Sequence, residues 1–385
     1  MSAYALHATR FVLPGGFAGE GYLTIRDGRF GTWGAERPDC EVVELGDCWV
    51  APGFVDTHIH GFFGHAATDQ DPAGINEASL ALARCGTTAW LPTTFTDSVE
   101  RIAAQCAAIA DAVDARGDDF SGARIPGIYL EGPFFTERYK GAQNPAYLKA
   151  PSYEDFSLWQ EHARGLIVKS ALAAEHDEAP AYIARLAAEG VVTALGHSDA
   201  SFEEGIAAVN AGATVFVHTY NGMSGLHHRN PGLVGCAMAT PGTYAELICD
   251  GRHVAPGACA ALVRAKGWEH VPLVTDCLGC GGLPEGSYTS GGLPVVLKGG
   301  LCYLEDMSSI AGSVLTLAEG VRNMAAWGVV GAEQAIRMAT EVAARSAGIE
   351  DVCGLILPGR HADLVVLAPD LSLRETYVGG VRVRA

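Results

Sequence analysis

With 385 residues, the chain can bury a large core and exceeds the usual size of one domain unless the fold is a large barrel. Lysine and arginine number 26 against 44 acidic residues, and the net charge of −18 argues against a general binder of nucleic acid or of anionic membranes. The N-terminal residues lack the pattern of a signal peptide, and no apolar run approaches the roughly 18 residues that a membrane span needs.

Both ends of the chain are predicted to be rich in β-strands. Residues 1 to about 50 have the pattern of short strands, and Asp27-Gly28 between two of them is typical of a hairpin turn. Near the C-terminus, the segments ADLVVLAP and TYVGGVRVRA are again strand-like. We therefore predict that residues 1–52 and 355–385 meet in one small, discontinuous β-sandwich domain.

The middle of the chain alternates strand-like and helix-like segments. Eight apolar, β-rich runs lie at 50–58, 87–94, 125–131, 166–172, 191–197, 213–218, 245–250 and 271–276. Helical patterns separate most of them, and Ser201 followed by Glu204 predicts a capping box at the start of one helix. Eight such units predict an α/β chain in which residues 53–354 form a (β/α)8 TIM-like barrel. No G-x-G-x-x-G follows the first strand, which disfavours a dinucleotide-binding sheet.

Five of these runs end on residues that can bind a metal or move a proton. The residues are His58 and His60, Glu131, His197, His218 and Asp276. In a barrel of parallel strands, the carboxyl ends of all strands meet at one rim, where such side chains build a site. For any single residue, capping of its strand is the simpler interpretation, but the repetition favours hydrolysis by a metal-activated water.

The residue types at these ends indicate which metal they would hold. His58 and His60 are two residues apart, so both imidazoles project from the same face of a strand. Imidazole and carboxylate groups suit Zn²⁺, Fe²⁺ or Mn²⁺, and the lack of a cysteine among them argues against a sealed structural zinc site. A carboxylate such as Asp276 that faces the activated water can take its proton and pass it to a leaving group.

The eleven cysteines form an odd and scattered set. This usage suits a reducing compartment better than a disulfide framework, and we predict a cytoplasmic protein. Cys277 and Cys280 form a C-x-x-C pair without a second pair at zinc-finger spacing. We expect both to be small loop and core residues, with a metal or redox role as the less favoured alternative.

Longer motifs resemble those of a known family. PGFVDTHIHG, YLEGPFF, LGHSDA, HTYNGMSGLHHRNPG, CDGRHV, LVTD and GLILPGRHADLVVL look like the amidohydrolase superfamily, from about residue 20 to the C-terminus. Within it they resemble the N-acetylglucosamine-6-phosphate deacetylases and relatives that act on the galactosamine epimer. PGFVDTHIHG is shared by many amidohydrolases, whereas EGPFF together with HTYNGMSGLHHR and DGRHV is much more specific.

The resemblance implies a metal-dependent barrel with a small β domain that removes acetate from an N-acetyl amino sugar phosphate during amino sugar catabolism. Glu131, His197 and His218 match the family's metal ligands. His58 and His60 match a pair that holds a second metal in some members, which implies one or two divalent ions per subunit, with Zn²⁺ favoured. Asp276 matches the catalytic acid and base.

The resemblance also implies a set of substrate-binding residues. Asn221 and Gly222 match a phosphate-contacting pair, and Arg229 beside His228 matches an arginine that reaches the phosphate of the neighbouring subunit. That match implies a homodimer. The remaining positions are the sugar-contacting His253 and, from weaker matches, Ala142, Gln143, Ser309, Ile310 and Ala311.

Two positions depart from the family's pattern. The family usually has a histidine after KGA, where this chain has Gln143, whose amide can donate a hydrogen bond but cannot become cationic near neutral pH. Cys277 and Cys280 stand where small apolar residues are common, and Cys277 beside Asp276 is a candidate for adventitious metal binding or oxidation. The first departure leaves the exact sugar open.

Three functions remain open from the sequence. The favoured one is a deacetylase acting on N-acetylglucosamine 6-phosphate or on its galactosamine epimer, since one hydroxyl orientation separates the two sugars. The second is a metal-dependent amidohydrolase acting on a cyclic amide, for which the HHR segment would be irrelevant. The third is a non-catalytic assembly scaffold, which is disfavoured because every expected metal ligand is present.

Overall fold

The computed structural model describes residues 3–117, 119–307 and 309–384. Met1, Ser2 and Ala385, at the ends of the predicted β domain, lie outside the described residues, as do Asp118 and Ser308 within the predicted barrel. The N-terminal strands are β1 (Tyr4–Leu13), β2 (Gly16–Ala18), β3 (Gly21–Arg26), β4 (Arg29–Gly34) and β5 (Glu41–Pro52).

The middle of the chain follows with short strands. They are β6 (Phe54–Ile59), β7 (Gly61–Phe62), β8 (His65–Ala66), β9 (Thr87–Pro92), β10 (Ile128–Leu130), β11 (Ile167–Leu172), β12 (Val192–Leu195), β13 (Val215–Phe216), β14 (Tyr244–Ala245), β15 (Leu247–Ile248) and β16 (Leu273–Val274). The later strands are β17 (Gly286–Ser290), β18 (Leu293–Lys298), β19 (Leu301–Leu304), β20 (Leu364–Leu367), β21 (Leu373–Val378) and β22 (Val381–Arg382).

Helices lie between most of the middle strands and after them. They are α1 (Pro72–Arg84), α2 (Val99–Asp114), α3 (Tyr153–His162), α4 (Ala179–Ala188), α5 (Phe202–Ala211), α6 (Gly232–Ala239), α7 (Pro256–Lys266), α8 (Leu317–Ala326), α9 (Ala332–Met338) and α10 (Glu341–Ser346). The predicted capping box is confirmed at α5, where the Ser201 hydroxyl accepts from Glu204 N–H and the Glu204 carboxylate accepts from Ser201 N–H.

Strands from both ends of the chain pair in one mixed sheet. Its order is β22-β21-β20-β5-β1-β3-β4, with β2 paired to β1, so β20 from the C-terminal part lies directly beside β5. The predicted hairpin turn is confirmed, because Asp27 and Gly28 join β3 to β4 with φ of 51° and 74°. The chain ends therefore meet through backbone hydrogen bonds as well as through packing.

The middle strands pair in parallel, as the sequence predicts. β6 pairs with β9, β10 to β14 form a five-stranded sheet in chain order, and β15 pairs with β16. Single bridges link Ala89 of β9 to Arg124, and Thr93, directly after β9, to Tyr129 of β10. Every residue of β6 and β9 is buried, because helices and neighbouring strands cover both faces. Burial therefore includes polar residues, among them Asp56, Thr57 and His58 of β6.

The exact ends of several predicted strands were wrong. The ladder stops at Leu195, Phe216 and Val274, two residues before the predicted ends at His197, His218 and Asp276. These three residues have φ of 46°, 26° and 51°, which leaves the extended conformation and breaks the ladder. The predicted 50–58 strand is likewise divided at Gly53 into β5 and β6, and the 245–250 strand is divided at Glu246 into β14 and β15.

A three-stranded antiparallel sheet, β17 to β19, follows the last parallel strand. Its inner side packs against the turn after Asp276 through a small buried cluster of Leu278, Cys280, Val295, Cys302 and Ala311. Phe95 and Ala142 pack against the edge of the same cluster. The antiparallel sheet therefore forms one wall beside the C-terminal ends of the parallel strands. No helix among the described residues is long and apolar enough to cross a membrane.

Candidate metal and hydrolase site

The residues that the sequence places at strand ends are brought together by the fold. His58 lies within β6 and His60 directly after it, Glu131 follows β10, and His197, His218 and Asp276 stand two residues beyond β12, β13 and β16. Because parallel strands end on one side of a sheet, residues distant in sequence converge there. The positive φ of three of these residues turns the chain sharply where the side chain must point inward.

The Glu131 carboxylate lies at the centre of this cluster and is buried. Its Oε1 atom is 3.3 Å from His58 Nε2, 3.2 Å from His197 Nε2 and 3.3 Å from His218 Nε2, and its Oε2 atom is 3.4 Å from His60 Nε2. Burial alone would raise the pKa of Glu131, but the surrounding histidines outweigh it and hold the pKa well below its usual value. The carboxylate is therefore ionised.

Contacts outside the cluster orient three of the four imidazole rings. The Nδ1 atom of His58 donates to the Glu246 carboxylate at 3.0 Å, that of His60 to the Thr93 carbonyl at 3.1 Å and that of His197 to the Tyr139 carbonyl at 2.8 Å. A hydrogen on Nδ1 leaves the lone pair on Nε2, so these three rings present a metal-binding nitrogen to the centre. His218 Nδ1 has no partner among the described residues.

The donor set fits a divalent cation. His58, His60 and Glu131 form one group whose ligand atoms lie within 4.8 Å of one another, and Glu131, His197 and His218 form a second. The Nε2 atoms of His197 and His218 approach to 3.1 Å, and His58 Nε2 is buried without a hydrogen bond within the described residues. Converging lone pairs of this kind need a positive charge between them. Glu131 belongs to both groups and so could contact an ion in either of them.

Asp276 lies beside the histidine pair, and its side chain is 12% exposed. Its Oδ1 atom is 3.1 Å from His60 Nε2 and 3.5 Å from His58 Nε2. Burial raises the pKa of Asp276, but the facing histidines outweigh burial and the net pKa is lowered. An ionised carboxylate at the edge of the cluster is able to accept a proton from a water bound there.

The cluster forms the floor of a cavity of about 290 Å³. The predicted site residues that line it are His60, Glu131, Ala142, Gln143, His197, His218, Asn221, Gly222, His253, Asp276, Ser309 and Ile310. His58 lies just beneath the floor and is fully buried, and Ala311 lines an adjacent small cleft. Most of the predicted substrate positions therefore share one concave surface with the predicted metal ligands.

Two predicted substrate residues lie elsewhere. His228 and Arg229 are exposed, do not line this cavity, and contact each other through Arg229 Nη1 and His228 Nε2 at 2.8 Å. They belong to a loop closed by backbone hydrogen bonds between His227 and Asn230. The expectation that Arg229 serves a neighbouring subunit stays a prediction.

Gln143 is fixed in one orientation. Its Nε2 atom donates to Glu131 Oε2 at 2.7 Å, and its Oε1 atom accepts from Thr96 N–H at 2.8 Å. The side chain is buried and still lines the cavity, so the second hydrogen of its amide is available to a bound carbonyl oxygen. Gln143 thus supplies a donor that does not titrate at the position where the family usually has histidine.

The cysteines near the site are buried, as expected of core residues. All eleven cysteines of the chain are free thiols, and Cys277 and Cys280 both lie in the interior. Burial raises the pKa of Cys277 well above its usual value, which disfavours the thiolate that metal binding or oxidation requires. Cys280 Sγ lies 3.8 Å from Cys302 Sγ.

The sequence reasoning missed three residues. Arg252 is the only lysine or arginine among the described residues that line the cavity, and its signal in the sequence was its place between Gly251 and His253 in the CDGRHV motif. Lys169 and Glu246 form a buried ion pair beneath the cluster. Each is a charged residue inside an otherwise apolar strand region, which was the signal available to find them.

Comparison with known proteins agrees with this arrangement. The sequence profile described as "Amidohydrolase family" matches residues 49–383. N-acetylglucosamine-6-phosphate deacetylase of Vibrio furnissii is 38% identical over 340 residues, which cover 88% of this chain and 84% of that protein. N-acetylgalactosamine-6-phosphate deacetylase of Escherichia coli O157:H7 is 34% identical and covers 98% of both chains.

Solved structures give the same result. A variant of N-acetyl-D-glucosamine-6-phosphate deacetylase from Mycobacterium smegmatis, in complex with N-acetyl-D-glucosamine-6-phosphate, superimposes with a TM-score of 0.94. It is 29% identical, and the match covers 100% of each chain. The likeness therefore extends to both chain ends.

The ion pair between His253 and Asp250 gives a pH-dependent prediction. Their Nδ1 and Oδ2 atoms are 2.6 Å apart; burial lowers the pKa of His253, but Asp250 outweighs it and the net pKa is above 6.5. The charged histidine therefore stabilises the fold below pH 6.5, and this contribution is lost as pH rises through the raised pKa. In Asp250→Asn, burial is opposed only by the weaker influences of the Asp276 charge and the Gly312 backbone, so the pKa of His253 should fall, as measured by NMR titration of its ring protons. An unchanged pKa would show that Asp250 does not charge His253.

Proposed function

Because the chain belongs to the amidohydrolase family, we propose that it is a metal-dependent deacetylase of N-acetylglucosamine 6-phosphate. The products would be glucosamine 6-phosphate and acetate, and the reaction would serve amino sugar catabolism. The observation that carries the proposal is the convergence of four imidazoles and Glu131 beneath a cavity that Asp276 borders. Relatives with this activity match most of the chain.

The galactosamine epimer is a second candidate substrate. An N-acetylgalactosamine-6-phosphate deacetylase is 34% identical over nearly the whole chain, close to the 35% of an N-acetylglucosamine-6-phosphate deacetylase. The two sugars differ at one hydroxyl, which a few polar contacts distinguish. An amidohydrolase acting on a cyclic amide is disfavoured, since these relatives cover both chain ends.

The metal would be held by Glu131, His197 and His218, and a second ion by His58, His60 and the same Glu131. Zn²⁺ suits imidazole and carboxylate ligands, and Fe²⁺ or Mn²⁺ would also be accepted. When bound there, a divalent cation supplies Lewis acidity and lowers the pKa of water. The convergence of four Nε2 atoms within 3.2–3.4 Å of the Glu131 carboxylate supports this assignment.

The chain's own side chains would carry the proton and orient the amide. Asp276, which is ionised and borders the cavity, accepts the proton of the attacking water and delivers it to the amide nitrogen as the C–N bond breaks. Gln143 donates its remaining amide hydrogen to the carbonyl oxygen, where negative charge develops. Because Gln143 does not titrate, Asp276 would be the proton carrier of the reaction.

The sugar phosphate would lie in the same cavity, above the cluster. Asn221, Gly222 and His253 line the cavity together with the exposed Arg252, whose guanidinium has no hydrogen bond or ion pair to the rest of the described chain. A guanidinium suits phosphate because its donors form a planar fork. We propose that Arg252 contacts the phosphate from the same subunit and that Arg229 contacts it from the partner in a homodimer.

We further propose the division of the chain that the sequence predicts. Residues 53–354 would close into a (β/α)8 barrel, supported by the 2.8 Å hydrogen bond from Asp276 N–H to the His58 carbonyl, which links the last parallel strand region to the first. Residues 1–52 and 355–385 would form the small β domain, supported by the pairing of β5 with β20. The eleven free thiols support a cytoplasmic location.

Acetate release from defined sugars tests the proposed function. The zinc-loaded protein should release acetate from N-acetylglucosamine 6-phosphate and N-acetylgalactosamine 6-phosphate, and the preferred epimer follows from the ratio of the two kcat/KM values. The unphosphorylated sugars serve as controls and should react far more slowly. Equal rates with and without phosphate would contradict the substrate class, and no acetate from any of the four would contradict the function.

Replacement of the proton carrier should separate chemistry from binding. Asp276→Asn keeps the size of the side chain but removes its basicity, so kcat should fall by about 10²–10⁴-fold. Metal content and KM should change little, because the replacement leaves the five proposed ligands and the sugar-binding residues in place. Near-normal kcat in a variant with wild-type metal content would remove this role from Asp276.

Mixed dimers test whether Arg229 acts across the interface. Arg229→Ala should raise KM for the phosphorylated sugar by roughly 10–100-fold, as expected for the loss of a charged hydrogen bond. This variant is then mixed with Asp276→Asn and allowed to exchange subunits. In each mixed dimer, the Arg229→Ala subunit still has its own Asp276, and its site receives an intact Arg229 from the Asp276→Asn subunit. A population of sites with wild-type KM should then appear. A fully active monomer, or no recovery after proven exchange, would contradict the prediction.

A further inference from the structure

A charged pair lies fully buried beneath the histidine pair. Lys169 on β11 and Glu246 between β14 and β15 are both 0% exposed, and Lys169 Nζ contacts Glu246 Oε1. The other carboxylate oxygen, Oε2, accepts from His58 Nδ1 at 3.0 Å and from the backbone N–H of His218 at 3.1 Å. One carboxylate thus joins a lysine to two of the proposed metal ligands.

The lysine completes a closed ring of contacts around His58. Its Nζ atom lies 4.0 Å from the centre of the Tyr129 ring and 3.5 Å from the Thr57 carbonyl oxygen. The Tyr129 ring packs edge-on against the His58 ring, with 5.0 Å between centroids and an interplanar angle of 88°. His58 therefore contacts Glu246 through its Nδ1 atom and Tyr129 through its ring, and Lys169 contacts both of these neighbours.

Stability alone does not account for this pair. Removing a lysine and a glutamate from water costs several kcal/mol per ion, and a pair of apolar residues in the same place is often as stable or more stable. Among the site histidines whose Nδ1 atoms have partners, His60 and His197 use neutral backbone carbonyls and His58 uses a charged carboxylate. A carboxylate that accepts from Nδ1 makes Nε2 of the same imidazole more basic and so a stronger metal ligand.

We propose that Lys169 and Glu246 form a positioning pair for a metal ion held by His58, His60 and Glu131. Glu246 fixes the His58 ring with Nε2 toward Glu131 and strengthens it as a ligand. Lys169 holds Oε1, so that only Oε2 faces His58, and it balances the charge of Glu246. The inference rests on the proposed metal-dependent function and adds that the ion bound by His58 depends on this pair more than the ion bound by His197 and His218.

The full-length double variant Lys169→Met/Glu246→Gln tests the pair without leaving one buried charge unpaired. Metal-depleted protein is titrated with Zn²⁺ at buffered free concentrations, and bound zinc per subunit is measured by mass spectrometry. Wild-type protein should bind two equivalents. The double variant should retain one tight equivalent and bind the second about 10–100-fold more weakly. Titration with Co²⁺, followed by its d–d absorption, should show the same loss of one site.

Glu341→Gln is the matched control. Glu341 is also a buried glutamate in ion pairs, with Arg337 at 2.8 Å and Arg345 at 2.6 Å, and it has no contact with the proposed ligands among the described residues. This variant should bind both equivalents with wild-type affinity. A purely structural role of Lys169 and Glu246 would instead weaken both equivalents of the double variant alike, which would overturn the inference.

Two further results would also overturn it. One is wild-type affinity for both equivalents in the folded double variant, and the other is a single equivalent in the wild-type protein. Either would leave the proposed deacetylase in place on Glu131, His197 and His218, because acetate release is measured independently of metal stoichiometry. Failure of the double variant to fold is addressed by Glu246→Asp, which keeps the charge balance with Lys169 but shortens the reach of the carboxylate toward His58, and for which the same weakening of the second equivalent is expected.

Discussion

The buried charge of Glu131 is the constraint on which the site depends. Four imidazole nitrogens lie 3.2–3.4 Å from its two oxygens, and lone pairs this close require a cation or shared protons between them. Glu131 and the four histidines come from the ends of four parallel strands, β6, β10, β12 and β13, so the site forms only when these strands lie side by side. Carbonyl groups of Thr93 and Tyr139 and the carboxylate of Glu246 then set which nitrogen of each ring faces inward.

The sequence was sufficient to predict the strand regions and the residues at their ends. Parallel strands buried on both faces have near-continuous apolar sequences, and a lone histidine or carboxylate after such a run stands out, as Glu131 after β10 does. The exact strand ends could not be predicted, because the positive φ of His197, His218 and Asp276 depends on where their side chains must point. Lys169 and Glu246 were missed because their partnership joins strands 77 residues apart.

The substrate end is less visible in the sequence than the metal ligands. Motif resemblance pointed to Asn221, Gly222 and His253, which do line the cavity; Arg252 lies in the same motif as His253 but was recognised as a candidate only once its place in the cavity was known. For Gln143, the sequence showed that a glutamine replaces the family's usual histidine, but it did not show how the amide is oriented in the site. The structure adds that Thr96 and Glu131 fix its amide, so the replacement of a usual histidine leaves an oriented donor without a titratable group.

The measurement that tests the account most directly is acetate release from N-acetylglucosamine 6-phosphate as a function of bound metal. The protein is treated with a chelator, its metal content is determined, and turnover is measured before and after Zn²⁺ is returned. The account predicts that turnover falls with the metal content and recovers with it, because the converging nitrogens around Glu131 are built for a cation. Undiminished turnover in protein that contains only trace metal would contradict it.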